Sequence, residues 1–275
     1  MKRSPLLPVL RSALAATALC ATALAAQASV LILGAPQQAG ALADVQSKIA
    51  GTGVVSGVVD VFNVATGTPT LAQLQSYSAV MVFSDAKYAN AAGLGDLLAD
   101  YVDAGGGVVE AGLSHATVGL RGLTGRFVSG NYDVYNSSTN QNSCGSLGAV
   151  ALPDSPLMRD IDSFSGGLSA ICYRITPKAG AVSVASWTNG NALLGYRTDH
   201  NGIVVGLNMN PVSGDVLSGL WDPSTDGALL MANALAFAAR ELPEPGSLAL
   251  LGIAAVAAGV AGRRRSRAVK AAATA

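Results

Sequence analysis

A doubly wound, mainly parallel α/β sheet with an antiparallel C-terminal part is the fold class predicted for residues 29–242. Three observations predict it. Apolar runs alternate with amphipathic segments through residues 30–111, the signature of strand–helix–strand units. The run Val30-Leu31-Ile32-Leu33 is apolar throughout rather than alternating, as a strand covered on both faces requires. Beyond residue 180, short strand-like runs follow one another closely and are joined by turn residues, which suits antiparallel pairing.

The first strand is expected at 30–33, ended by Gly34. Leu42, Val45 and Ile49 recur at helical spacing, so 40–50 reads as a helix stopped by Gly51. Residues 57–64 read as the second strand. Pro69 and Thr70 open a short helix running to Gln75. The third strand covers 79–83 and has Ser84-Asp85 at its carboxyl end. Leu94, Leu97, Leu98, Tyr101 and Val102 share one face of a helix at 91–104. The run Gly105-Gly106-Gly107 ends that helix, and 108–111 is the fourth strand. Residues 127–135 and 172–175 then read as short strands separated by a polar loop at 136–144. An antiparallel set follows at 181–187, 192–197 and 203–208, with Asp199-His200-Asn201-Gly202 as the last turn. A final helix is expected at 227–240, with Leu229, Leu230, Ala234, Leu235 and Phe237 as its apolar residues.

Both ends of the chain carry targeting chemistry. Lys2, Arg3 and Arg11 flank the start, followed by the apolar stretch 12–26 and the small-residue site Ala26-Gln27-Ala28. That is a secretory signal peptide spanning 1–28, outside the fold. Cys20 lies within it, and the bulky Leu19 before it argues against a lipoprotein. At the other end stand Pro243-Glu244-Pro245, an uncharged apolar run at 246–262, and Arg263-Arg264-Arg265-Ser266-Arg267. Proline breaks a helix arriving from the body. The apolar run is expected to form a transmembrane helix, at the short end of the roughly 17–25 residues needed. The arginines mark its cytoplasmic end, leaving 268–275 as a cytoplasmic tail.

The order Pro-Glu-Pro, apolar span and arginine cluster resembles the PEP-CTERM sorting signal of Gram-negative bacteria, over residues 243–267. The resemblance implies recognition by an exosortase, a membrane-embedded protease that cuts near the Pro-Glu-Pro motif and passes the protein outward. With the signal peptide, it implies export through the secretion translocon, transient membrane anchoring, and a cell-surface or extracellular destination. It also implies a setting of exopolysaccharide or biofilm matrix.

The body between these segments resembles the class I glutamine-amidotransferase-like fold, including its trehalose-utilisation-type relatives. The carrying residues are the run from Tyr77 to Phe83, the unit from Leu97 to Val109 with its three glycines, and the closing Leu229-Leu230-Met231-Ala232-Asn233-Ala234-Leu235. In that family the strand after the glycines leads into a sharp turn bearing a catalytic cysteine. The matching stretch here is Gly112-Leu113-Ser114-His115-Ala116, which places Ser114 at the nucleophile position. The cysteine is missing, as is the downstream His-Glu pair.

A serine on such an elbow attacks an acyl centre only if a base reaches it. His115 is adjacent, and neighbouring side chains generally diverge; His200 sits in a turn. Ser114 is therefore the one weak catalytic candidate, and a solvent-facing loop cap is its plainer role. Glu110 is a second titratable candidate, with a hydrogen-bonded structural carboxylate as the simpler reading. Gly51-Thr52-Gly53 precedes a strand instead of following one, which argues against phosphate binding. Asp154, Asp160 and Asp162 near Arg159 do not follow the order of a calcium loop, so a cap with solvated charges is expected. Tyr132, Tyr135, Trp187 and Trp221 offer aromatic faces for sugar stacking, although packing inside the fold is the simpler role for the tryptophans.

Composition narrows the partners. The signal segment holds three of the 17 basic residues and the tail five, while the tail holds one of the 17 acidic ones, leaving the body at −7. A body of that charge is not expected to bind nucleic acid. No cofactor or metal is expected: two cysteines, Cys144 and Cys172, do not make a zinc site. In an oxidising compartment their expected state is one disulfide.

The sequence thus predicts a noncatalytic, exported surface or matrix protein that binds or builds. An extracytoplasmic hydrolase acting on a carbohydrate or amide through Ser114 is the first alternative. A membrane-anchored carbohydrate-binding module is the second.

Overall fold

The computed structural model describes residues 29–117 and 119–240. The predicted signal peptide, the transmembrane helix and the sorting residues Pro243, Glu244, Pro245, Arg263, Arg264 and Arg265 lie outside the described residues. Within them, no helix is long and apolar enough to cross a membrane.

The chain begins with β1 (Val30–Ala35), α1 (Ala41–Gly51), β2 (Val59–Asn63), α2 (Leu71–Leu74), β3 (Ala79–Ser84), α3 (Ala91–Asp103) and β4 (Gly107–Gly112). All residues of β1, β3 and β4 are buried, which is why their sequences are apolar but for Ser84 at the end of β3 and Glu110 in β4. β1 continues through Gly34 because it is paired on both sides, with β2 and with β3. α1 is stopped by Gly53, whose φ is +69°, rather than by Gly51, which is still helical. α2 is fixed by a capping box: Gln73 donates its backbone N–H to the Thr70 hydroxyl, and its side chain accepts the Thr70 N–H. α3 starts on the Asn90 side chain and ends at Gly105, where φ is +95°.

The second half holds α4 (Arg126–Ser129), β5 (Gln141–Ser143), β6 (Leu147–Val150), β7 (Ile171–Tyr173), β8 (Val182–Trp187), β9 (Ala192–Arg197), β10 (Val204–Leu207) and α5 (Gly227–Ala238). One eight-stranded sheet runs β2-β1-β3-β4-β10-β9-β8-β6, and β5 pairs with β7 in a separate ribbon. Strands β2 to β10 of that order are parallel, and β10, β9, β8 and β6 pair antiparallel. The sheet is therefore mixed, a parallel half carrying an antiparallel extension, rather than mainly parallel. One face is covered by α1 and α5, with Trp187 and Trp221 in its core. The other is covered by α2 and α3, with Tyr101, Phe127 and Tyr135.

Three stretches depart from expectation. Residues 127–135 are not a strand: α4 occupies their start, and Asn131 then turns with φ +63°. The backbone N–H of Arg126 donates to Asp96, and Phe127, Tyr132, Val134 and Tyr135 are spent on the α3 face of the sheet. The polar loop at 136–144 contains β5, which pairs with β7. β6, the far edge strand, was not predicted although Leu147-Gly148-Ala149-Val150 is apolar; the run is short and its pairing with β8 is irregular.

Cys144, just after β5, and Cys172, in β7, form a disulfide with Cα atoms 5.1 Å apart. Trp187 and Trp221 are each 1% exposed and donate their indole N–H to the carbonyls of Asn208 and Pro211. Tyr135 is buried as well, so these aromatics form core and not an open sugar-stacking face.

Candidate functional site

Ligands of open α/β sheets bind beyond the carboxyl ends of the parallel strands. Here those ends bring together Ser84 at the end of β3 and Asp85 just after it, Glu110 near the end of β4, and Ser114 and His115 just beyond it. Gly112, at φ +60° and ψ −135°, makes the elbow that turns the chain from β4 into a short 3₁₀ turn at Leu113–His115. A side chain with a Cβ rarely adopts that conformation.

Ser114 is 1% exposed, so it is a buried residue and not a solvent-facing loop cap. Its hydroxyl lies 2.6 Å from the Tyr88 hydroxyl and 3.4 Å from the Val82 carbonyl oxygen. Burial pushes the Tyr88 phenol upward, against hydrogen bonds from Ser114 and Ser84. A neutral phenol of this kind does not take a proton from serine.

His115 turns the other way. Its Nδ1 lies 3.2 Å from a Glu110 carboxylate oxygen, with both side chains buried, and Tyr135 meets its ring edge-on at 5.5 Å. Burial works to lower the His115 pKa, but the Glu110 carboxylate, with Asp133 beyond it, outweighs burial and the net direction is upward. Asp133 is itself pushed up, by burial first and by Glu110 second, while Lys178 and His115 act against the shift. Lys178 Nζ donates to Asp133 at 2.5 Å, and Arg197 donates to the Asp133 carbonyl at 3.0 Å. His200 lies elsewhere, stacked on Tyr132 at 4.3 Å with its Nε2 3.1 Å from the Asn131 carbonyl oxygen.

Asp85 is 5% exposed. One carboxylate oxygen accepts from the Asn210 side chain at 2.8 Å. Burial pushes its pKa from 3.8 up to about 6, against the Asn210 hydrogen bond and the charge of Arg121. The other oxygen of Asp85, Oε2 of Glu110 and Nε2 of His115 have no hydrogen-bond partner among the described residues.

Ser114 and His115 are thus neighbours in sequence whose functional atoms serve different partners. The arrangement can hold protons in a buried acidic cluster; it does not join a nucleophile to a base. Sequence reasoning missed Tyr88 and Asn210, which come from loops, and the Asp133–Lys178 pair. For Asp85, its place at a strand's carboxyl end was the available signal.

A depression of about 500 Å³ lies at the carboxyl ends of β1 and β2, against the start of α1. Its polar lining is amide-rich, from Gln37, Gln38, Gln46 and Asn63, with Leu42 and Val61 as apolar wall. Among the described residues, no group of three or more His, Cys, Asp or Glu side chains is placed to hold a metal ion.

Solved structures share this fold at low sequence identity. A ThuA-like protein from Bacteroides uniformis aligns with a TM-score of 0.54 at 14% identity, over 76% of this chain and 89% of its own. One from Parabacteroides merdae gives 0.52 at 13%, over 77% and 89%. A glutamine amidotransferase from Thermotoga maritima gives 0.48 at 12%, over 78% and 98%. Among curated proteins, no sequence matches this chain. The family model of the PEP-CTERM protein-sorting motif matches residues 241–265. That motif implies export, membrane anchoring before cleavage, and processing by an exosortase, a membrane protein. The chain therefore joins an α/β body, with the fold seen in the two ThuA-like proteins, to a PEP-CTERM sorting motif.

Proposed function

We propose that this protein is an exported cell-surface or extracellular-matrix component whose α/β body binds or builds rather than catalyses. The sorting motif supports the destination. The partners of Ser114 support the absence of catalysis: a buried hydroxyl held by a phenol, 2.6 Å away, is not activated as a nucleophile. The setting is the exopolysaccharide or biofilm matrix. The amide-rich depression beside α1 favours a hydroxyl-rich ligand there, since amides both donate to and accept from hydroxyl groups.

A hydrolase acting through Ser114 would need an imidazole or carboxylate on its hydroxyl. The test is a fluorophosphonate probe, which labels activated serines, applied to the intact body and to Ser114→Ala. The proposal expects no labelling that distinguishes the two, followed by intact mass. Labelling of the native body that Ser114→Ala abolishes would replace this reading with the hydrolase.

A further inference from the structure

Both ends of the body emerge at one pole. The Ser29 carbonyl accepts from the Ser78 N–H at 2.9 Å, and the Ser78 carbonyl accepts from the Gly107 N–H at 3.2 Å. Gly107 packs so closely on the last turn of α5 that a Cβ there would fall 2.2 Å from the Ala238 carbonyl oxygen. A continuous line of contacts therefore joins the start of β1, through the starts of β3 and β4, to the end of α5. Arg240 closes this pole by donating to the Asn201 carbonyl, and Asn201 in turn donates to the carbonyl of Asp103. The pole carries a depression of about 430 Å³, lined by Tyr77, Ser78, Ala104, Gly105 and Ala239 among others. The buried acidic cluster and the amide-rich depression lie at the opposite pole, beyond the strands' carboxyl ends.

The tether on this pole is short. Two residues separate Arg240 from Pro243, so even a fully extended chain sets Pro243 only about 11 Å from Arg240. A protease that holds Pro243-Glu244-Pro245 in its active site cannot avoid the body. We infer that the pole around Ser78, Ala104 and Ala239 seats against the extracytoplasmic surface of the exosortase during cleavage, with the strands' carboxyl ends pointing away from the membrane. This inference rests on the sorting reading above. The occupant is protein rather than lipid. Asp100 and Asp103 flank the pole, each paired with Arg126, and a body of −7 gains nothing from an anionic bilayer surface.

The experiment uses the full chain in a host with its exosortase, reading the ratio of uncut to cut protein by intact mass. Ser78 and Ala104 are exposed, so Ser78→Trp and Ala104→Trp add bulk at the pole without entering the core. Ala89→Trp, at an exposed residue beyond the carboxyl ends of the strands, adds the same bulk at the opposite pole. The uncut fraction is expected to rise about tenfold in the two pole variants, the size of a lost interface contact, and to stay at the native level in Ala89→Trp. A twelve-residue Gly-Ser spacer after Arg240 extends the tether by roughly 20 Å and is expected to restore cutting of both pole variants. Native-level cutting of the pole variants overturns the docking inference while leaving the sorting reading intact. So does failure of the spacer to rescue, which assigns the defect to the fold. An uncut native chain overturns the sorting reading, and the docking inference falls with it.

Discussion

Asp85→Asn is expected to change how stability depends on pH, and the change has a definite sign. The folded pKa of Asp85 is raised from 3.8 to about 6. A group whose folded pKa is raised contributes stability that is fully present below its unfolded pKa and lost as pH rises through the folded one. The contribution of Asp85 to stability should therefore be lost between pH 4 and pH 6, and Asn, which does not titrate, should not share that loss. The gap between variant and native chain should widen in favour of the variant by about 3 kcal/mol from pH 4 to pH 7, at roughly 1.4 kcal/mol per unit. Asp133 and His115 are shifted in the same direction, but both remain in the variant, so the difference isolates Asp85. Urea denaturation midpoints across pH 4–8 measure it; parallel curves for the two proteins would show that the Asp85 carboxylate is not held in a raised state.

Loss of the disulfide is expected to be the costliest covalent change in the body. Cys144 and Cys172 are 28 residues apart, and restoring the freedom of a loop that long to the unfolded chain costs about 3–4 kcal/mol. The bond ties a ribbon whose strands, β5 and β7, have three residues each, too short to hold a pairing alone. Cys172 is fully buried and Cys144 nearly so, which places the crosslink in the core with Trp187 and Phe164. The double variant Cys144→Ala, Cys172→Ala should melt roughly 10 °C lower, at about 2–4 °C per kcal/mol for a domain of this size. An unchanged melting temperature would show that the ribbon is held by packing alone.

The parallel half of the fold was legible because burial on both faces leaves little choice of residue. β1 and β3 are apolar runs ended by Gly, Ser or Asp, β4 is apolar but for Glu110, and α3 is amphipathic with a glycine stop. The antiparallel half was less so. The segment 127–135 carries Phe, Val and Tyr as a strand would, yet the flanking Gly125, Gly130 and Asn131 bend it into a turn of helix that packs onto the sheet. β6 is a short apolar run of four residues at the sheet's edge, and its irregular pairing with β8 gives it no sequence period. At the site, the elbow at Gly112 placed Ser114 correctly beyond β4. Its actual partner, Tyr88, comes from 26 residues away, and the partner of Asp85, Asn210, from 125. No periodicity encodes such contacts; they exist only once the sheet order has brought β3, β4 and β10 side by side. The cysteine pair, by contrast, followed from compartment and count.

The motif at 241–265 ties the whole account to one event, the cutting of the tail from an exported body. The most direct measurement is the intact mass of the native protein recovered separately from the membrane and the medium of its host. The account predicts a released species that begins at Ser29 and ends near Pro243–Pro245. A full-length tail retained in the membrane, with no released form, would contradict it and leave an anchored domain in place of a matrix protein.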